Sequence, residues 1–161
     1  MTTLLTLDEI FAMAVRIESN GVVFYRAAAA KANKADADYL MKLAAMEDEH
    51  KRIFGDMRKR LASRKAAEPP RPDGGLYMAA IADGCRFEGS AAAAGQLTGK
   101  ESMADVLRLA IHLEKESVLF YLGIRDVVPA ADDKAKVDQI IEQEKSHIAT
   151  LAGQLKKRAN G

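Results

Sequence analysis

Apolar residues recur at three- and four-residue spacing through most of the chain, and the period-two alternation of a half-buried strand is nearly absent, which predicts an all-α protein. Four long helices can be bounded. Thr6 and Glu9 have capping-box spacing and open the first, which is expected to run to about Asn33. Asp36 is the expected cap of the second, which continues to about Arg64 and is stopped by Glu68-Pro69-Pro70-Arg71-Pro72-Asp73-Gly74-Gly75. Ser102 with Asp105 opens the third, closed by Pro129, and Asp132 or Asp133 is the expected cap of the fourth, which reaches about Arg158. Only a few residues separate the first two helices, and the same holds for the last two, so each pair is expected to be an antiparallel hairpin. The reading is a single domain over residues 1–161: a four-helix bundle of hairpins 7–65 and 102–158, with a long crossover over 66–101 in which Leu76 to Arg86 has the pattern of a short helix.

The stripes that define these helices each carry an acid at mid-length. Glu18 falls between Phe11, Ala14, Val15 and Val22, Tyr25; Glu114 falls between Leu107, Ala110, Ile111 and Val118, Tyr121. Glu47 lies among Leu40, Leu43 and Phe54, and Glu144 among Val137, Ile140, Ile141 and Leu151. Three residues after each of the latter two comes a histidine, His50 and His147, a spacing that puts it on the same helix face as its Glu. The two halves also repeat: Glu18-Ser19-Asn20-Gly21-Val22-Val23-Phe24-Tyr25 lies over Glu114-Lys115-Glu116-Ser117-Val118-Leu119-Phe120-Tyr121, and Glu47-x-x-His50 over Glu144-x-x-His147, in nearly the same register.

Burying one unpaired carboxylate costs several kcal/mol, and four converging on one core repel one another besides. Four carboxylates with two neutral imidazoles are balanced to zero by two divalent cations. Oxygen and imidazole donors suit iron or manganese; they do not fit an all-oxygen calcium site or a thiolate zinc site. Other residues read more plainly. His112 precedes Glu114 by two and faces away from the acids, and Glu49 and Glu116 fall off the stripes as surface charges. Cys85 reads as a small loop hydrophobe, Met41, Met46 and Met57 as core filler, and Lys156-Lys157-Arg158 as cations favoured at a helix C-terminus.

Composition removes several classes of function. With 24 Lys+Arg against 23 Asp+Glu in 161 residues, a net charge of +1 gives no electrostatic hold on nucleic acid. No apolar run approaches the roughly 20 residues of a membrane span, and Met1 to Glu9 has no basic segment ahead of an apolar one, so neither a span nor a signal peptide is expected. One cysteine excludes a disulfide framework and points to the cytoplasm.

Across residues 7–65 and 102–158, the pairs Glu18/Tyr25 and Glu114/Tyr121 and the two Glu-x-x-His motifs resemble the ferritin-like superfamily, and within it the rubrerythrin-like (erythrin) branch. The resemblance implies a non-haem di-iron centre in which Glu47 and Glu144 bridge two metal ions, Glu18 and Glu114 are terminal ligands, His50 and His147 bind one metal each, and Tyr25 and Tyr121 orient carboxylates on the facing helix. It further implies O2 or peroxide as the co-reactant. Two departures stand out. Peroxide-reducing rubrerythrins carry an additional Glu where this chain has Ser117, and they usually carry a Cys-rich rubredoxin domain that one cysteine cannot build, so turnover here needs an external electron donor. The alternatives are a ferroxidase or storage protein and a bundle whose metal only stabilises it. Apolar residues on the crossover, Leu76, Tyr77, Met78, Ile81 and Phe87, point to a homodimer.

Overall fold

The computed structural model describes residues 5–63, 72–84, 95 and 97–159, with side chains from 75 to 81 inside the second of these segments. Among the described residues there are five helices and no strand: α1 (Leu7–Ala29), α2 (Lys34–Ser63), α3 (Pro72–Gly84), α4 (Met103–Val127) and α5 (Ala131–Ala159). No helix among them is long and apolar enough to cross a membrane. Cys85, Phe87 and residues 64–71 lie outside the described residues.

Local chemistry sets most of the boundaries. Thr6 and Glu9 form a reciprocal capping box on α1, with the Thr6 amide donating to Glu9 Oε2 at 2.8 Å, and Ser102 and Asp105 do the same for α4. Two caps differ from expectation. Asn33, not Asp36, caps α2: its Oδ1 accepts from the Asp36 amide at 3.0 Å, so α1 ends earlier, at Ala29, and Asp36 sits in the first turn where the dipole favours an acid. Helix α5 begins at Ala131, with the Lys134 amide bonded to Ala130 O, so Asp132 and Asp133 are first-turn residues instead of caps. The stop at residues 68–75 is also shorter than expected, because Pro72 opens α3: proline is tolerated in a first turn, where its missing N–H has no intrahelical acceptor.

Helix α1 packs along α2 and α4 along α5; α1 further contacts α4, α2 contacts α5, and α3 lies on α4. Polar ties fix the directions. Arg58 near the end of α2 reaches Asp8 in the first turn of α1 at 2.7 Å, Arg60 reaches the buried Asp133 at 2.6 Å, and Arg158 at the far end of α5 bonds Asp36. Helices α1 and α2 therefore run in opposite directions, as do α2 and α5. Gly123 is where α3 comes closest: a Cβ there would sit 2.7 Å from the Tyr77 ring, and next to Gly123 Met78 is fully buried.

The core falls into two apolar layers. One collects Ile10, Phe11 and Ala14 of α1, Phe54 and Met57 of α2, Phe120 and Ile124 of α4 and Val137, Ile140 and Ile141 of α5. The other collects Phe24 and Ala28, Leu40 and Leu43, Leu107 and Ala110, and Leu151 from the same four helices. Along every one of these helices the switch from one layer to the other occurs at the acid in the stripe. A polar layer thus lies across the middle of the bundle, closed above and below by hydrocarbon.

Candidate metal centre

Glu18 of α1, Glu47 and His50 of α2, Glu114 of α4 and Glu144 and His147 of α5 occupy that layer, and none is more than 4% exposed. Their ligand atoms gather into two groups: Glu18, Glu47, His50 and Glu144, and then Glu47, Glu114, Glu144 and His147. Glu47 and Glu144 belong to both. The six residues picked out by the apolar stripes are therefore brought together at one place, as two four-residue clusters that share two carboxylates.

Both imidazoles turn the same nitrogen inward. His50 Nδ1 is 2.8 Å from Glu144 Oε1 and 3.7 Å from Glu18 Oε2, and His147 Nδ1 is 3.4, 3.6 and 3.7 Å from Glu144, Glu114 and Glu47. The rings stack at 6.1 Å and 23°. Even the closest of these approaches is not aligned as a hydrogen bond. Eight buried side-chain N or O atoms among the described residues lack a hydrogen-bond partner, and seven of them belong to these six residues: Glu18 Oε2, Glu47 Oε1, both Glu144 oxygens, Glu114 Oε2 and the two Nδ1 atoms. Buried polar groups are nearly always satisfied, so a convergence of inward-facing lone pairs calls for cations to occupy the space between them. Two divalent ions fit the donor count, the donor chemistry and the charge. The eighth atom, Tyr39 OH, is held above its ordinary pKa by burial and by Glu114.

The outer oxygens are satisfied across the bundle. Tyr25 OH of α1 donates to Glu114 Oε1 of α4, and Tyr121 OH of α4 donates to Glu18 Oε1 of α1, so each of these two acids is held by the helix opposite. Burial, then repulsion from the carboxylates, raises both phenols far above the usual value, which keeps them neutral donors.

Without cations, protons supply the balance. Burial and then repulsion from Glu18, Glu144 and Glu114 push Glu47 well above the carboxylate range, and burial followed by Glu144 pushes Glu114 up to about 8. Glu18 is raised by burial, with His50 opposing. Burial works in the same direction on Glu144, but its closeness to Glu114 and to both imidazoles outweighs it and holds Glu144 below the ordinary range. Burial disfavours charge on the histidines, yet Glu144 and Glu18 push His50 up to about 10, and Glu114 and Glu144 push His147 up to about 9.

The remaining sequence candidates fall elsewhere. His112 is exposed and pairs with Glu116 at 3.2 Å, and Glu49 is an exposed partner of Arg52. Met57 is core, but Met41 and Met46 are 46% and 37% exposed. Ser117 is buried and spends its hydroxyl on Leu113 O at 3.1 Å. Three residues with no signal in the sequence prove to touch the site. Gln143 Oε1 is 2.7 Å from His50 Nε2, Met46 Sδ is 3.3 Å from His147 Nε2, and Gly21 lies against Glu47, where a Cβ would be 2.5 Å from Oε2. Only the repeat register could have pointed to the first two, since both immediately precede a Glu-x-x-His motif.

No protein-family model and no curated protein matches the chain. Among solved structures it is similar to a protein from Thermotoga maritima described as a ferritin-like diiron-carboxylate protein, with 22% identity and a TM-score of 0.74 over 98% of this chain and 99% of that one. That likeness shows a ferritin-like helical fold.

Proposed function

We propose that this chain is a rubrerythrin-like non-haem di-iron oxidoreductase that reacts ferrous iron with O2 or peroxide. The observation that carries the reading is the pair of buried Glu/His clusters that share Glu47 and Glu144 and hold seven unpartnered atoms between them. In this reading Glu47 and Glu144, common to both clusters, would be shared between two ions, Glu18 and Glu114 would each serve one ion, and His50 and His147 would hold one ion each. Oxygen and imidazole donors suit iron or manganese, and the description of the Thermotoga maritima protein as diiron favours iron.

Two ferrous ions held by these residues would supply the two electrons that, with two protons, reduce one peroxide to two waters. The chain's own groups shape the setting for that exchange. Tyr25 and Tyr121 keep Glu114 and Glu18 in place as neutral donors, and the apolar layers on both sides exclude bulk water. In this reading electrons come from a donor outside residues 1–161, which hold one cysteine. The chain is read as one domain of two antiparallel hairpins with residues 66–101 as crossover, working in the cytoplasm as a homodimer; exposed Leu76 and Tyr77 favour the last point. Ser117, which offers no extra carboxylate, favours a second reading, a ferroxidase that oxidises iron without peroxide turnover.

Anaerobic titration with ferrous iron should end at two ions per chain, and added peroxide should then bring up ferric absorbance that a supplied reductant discharges over repeated cycles. Fewer than one ion per chain overturns the di-iron reading. A single oxidation with no cycling selects the ferroxidase.

A further inference from the structure

Each site histidine is backed, on its outward nitrogen, by a residue from the facing Glu-x-x-His helix. The two backing residues hold equivalent places in the repeat. Gln143 immediately precedes Glu144 and backs His50; Met46 immediately precedes Glu47 and backs His147. The repeat is thus symmetric in its inward groups and asymmetric one atom behind them.

That asymmetry has chemical weight. A neutral imidazole has one N–H, and a ligating nitrogen must offer its lone pair, so with Nδ1 turned towards the carboxylates the proton has to reside on Nε2. For His50, Gln143 Oε1 at 2.7 Å accepts that proton in a strong hydrogen bond, which fixes the tautomer and the ring and raises the basicity of Nδ1. For His147 the acceptor is the Met46 thioether at 3.3 Å, a weaker acceptor than an amide oxygen, although both backing side chains are exposed. Outer partners of this kind are worth about 10–100-fold in metal affinity.

We infer that Gln143 and Met46 make the two metal positions unequal, the position at His50 tight and the position at His147 the weaker, exchangeable one. The inference rests on the dimetal reading of the six inward residues. It makes the pair Gln143/Met46 positioning residues that tune the ions through the histidines.

Cobalt(II) is the probe, with binding followed by calorimetry. His147→Ala isolates the position backed by Gln143, and His50→Ala the one backed by Met46; the first should bind cobalt about 10–100-fold more tightly. Adding Met46→Gln to His50→Ala should recover the difference, and adding Gln143→Met to His147→Ala should abolish it. A gain on Met46→Gln is the decisive readout, because loss of a merely structural contact does not tighten a site. In the intact chain the two binding steps should stand apart and be drawn together by Met46→Gln, so misfolding of a histidine variant leaves the test in place. Equal affinities in the two histidine variants, or exchanges that move neither, overturn the inference while leaving the dimetal reading intact. If the parent itself takes up no cobalt, both fall.

Discussion

Gly21→Ala separates what the site needs from what the helix prefers. Gly21 is inside α1, where alanine is favoured over glycine by about 1 kcal/mol. The new Cβ would lie 2.5 Å from Glu47 Oε2 and 3.2 Å from its Cγ and Cδ. Ordinary contact needs about 3.5 Å, so the carboxylate must retreat by about 1 Å, and because it is the tip of a flexible chain the retreat is cheap in the metal-free protein. The metal-free variant should therefore hold its stability or gain up to about 1 kcal/mol, a rise of roughly 2–4 °C in a domain of this size. With metal the sign reverses. Glu47 is shared by both clusters, and a displacement of that size that weakens binding about 10–100-fold removes about 1.4–2.7 kcal/mol of metal-derived stabilisation, so the upward shift in Tm on adding ferrous iron should shrink by roughly 3–10 °C. Melting curves with and without ferrous iron under anaerobic conditions measure both effects. Gly55→Ala and Gly153→Ala are the controls: a Cβ at either meets nothing within 4 Å, so each should raise both curves equally. A Gly21→Ala protein that keeps the parent's full metal-induced shift would refute the placing of Glu47 as a shared ligand.

Three further outcomes follow from the same geometry. Glu114→Leu combined with Tyr25→Phe removes a buried acid together with the phenol it would orphan, so the metal-free chain should gain about 1–4 kcal/mol in denaturant melts while elemental analysis shows metal falling from two towards one per chain. Glu114, His50 and His147 are pushed up to about 8, 10 and 9, so their support for the metal-free fold is complete below their ordinary values of 4.5 and 6.5 and is lost as pH climbs through 8 to 10. Metal must displace those same protons, and calorimetry across pH 6 to 9 should show tighter binding and a wider metal-induced shift as pH rises. Gly123→Ala drives a methyl into Tyr77 and Met78 and should cost about 1–3 kcal/mol, seen as faster proteolysis at α3 with the metal-induced shift unchanged.

What the sequence displays of this architecture is whatever lies along a single helix. An acid that interrupts an apolar stripe is visible because charge and burial conflict at one position, so Glu18, Glu47, Glu114 and Glu144 could be picked out with no knowledge of which helices meet. The capping boxes at Thr6 and Ser102 are equally local. The caps of α2 and α5 were not, because Asn33 competes with Asp36 for the same amides, and Asp132 and Asp133 are as well placed in a first turn as before it. Met46 shows the deeper limit. Its place on α2 reads as core, yet it is 37% exposed and lies at the rim of the site against His147, which no spacing within α2 can report.

The same distinction explains why the inward half of the site was legible and the outward half was not. The repeat aligns Glu18 with Glu114 and Glu47 with Glu144, but it aligns residues within equivalent helices, whereas the contacts that complete the site cross between them: Tyr25 to Glu114, Tyr121 to Glu18, Gln143 to His50 and Met46 to His147. Identical residues in the two halves make the first two contacts symmetric, and both tyrosines were singled out because they recur in register with their acids. Different residues in the two halves make the last two asymmetric, and a mismatch in a repeat carries no signal until the packing shows what it faces. In isolation Gln143 looks like an ordinary helix-surface choice and Met46 like core filler. Set behind two imidazoles that share carboxylates, they become a place where a symmetric ligand set can give its two positions different affinities without changing a ligand.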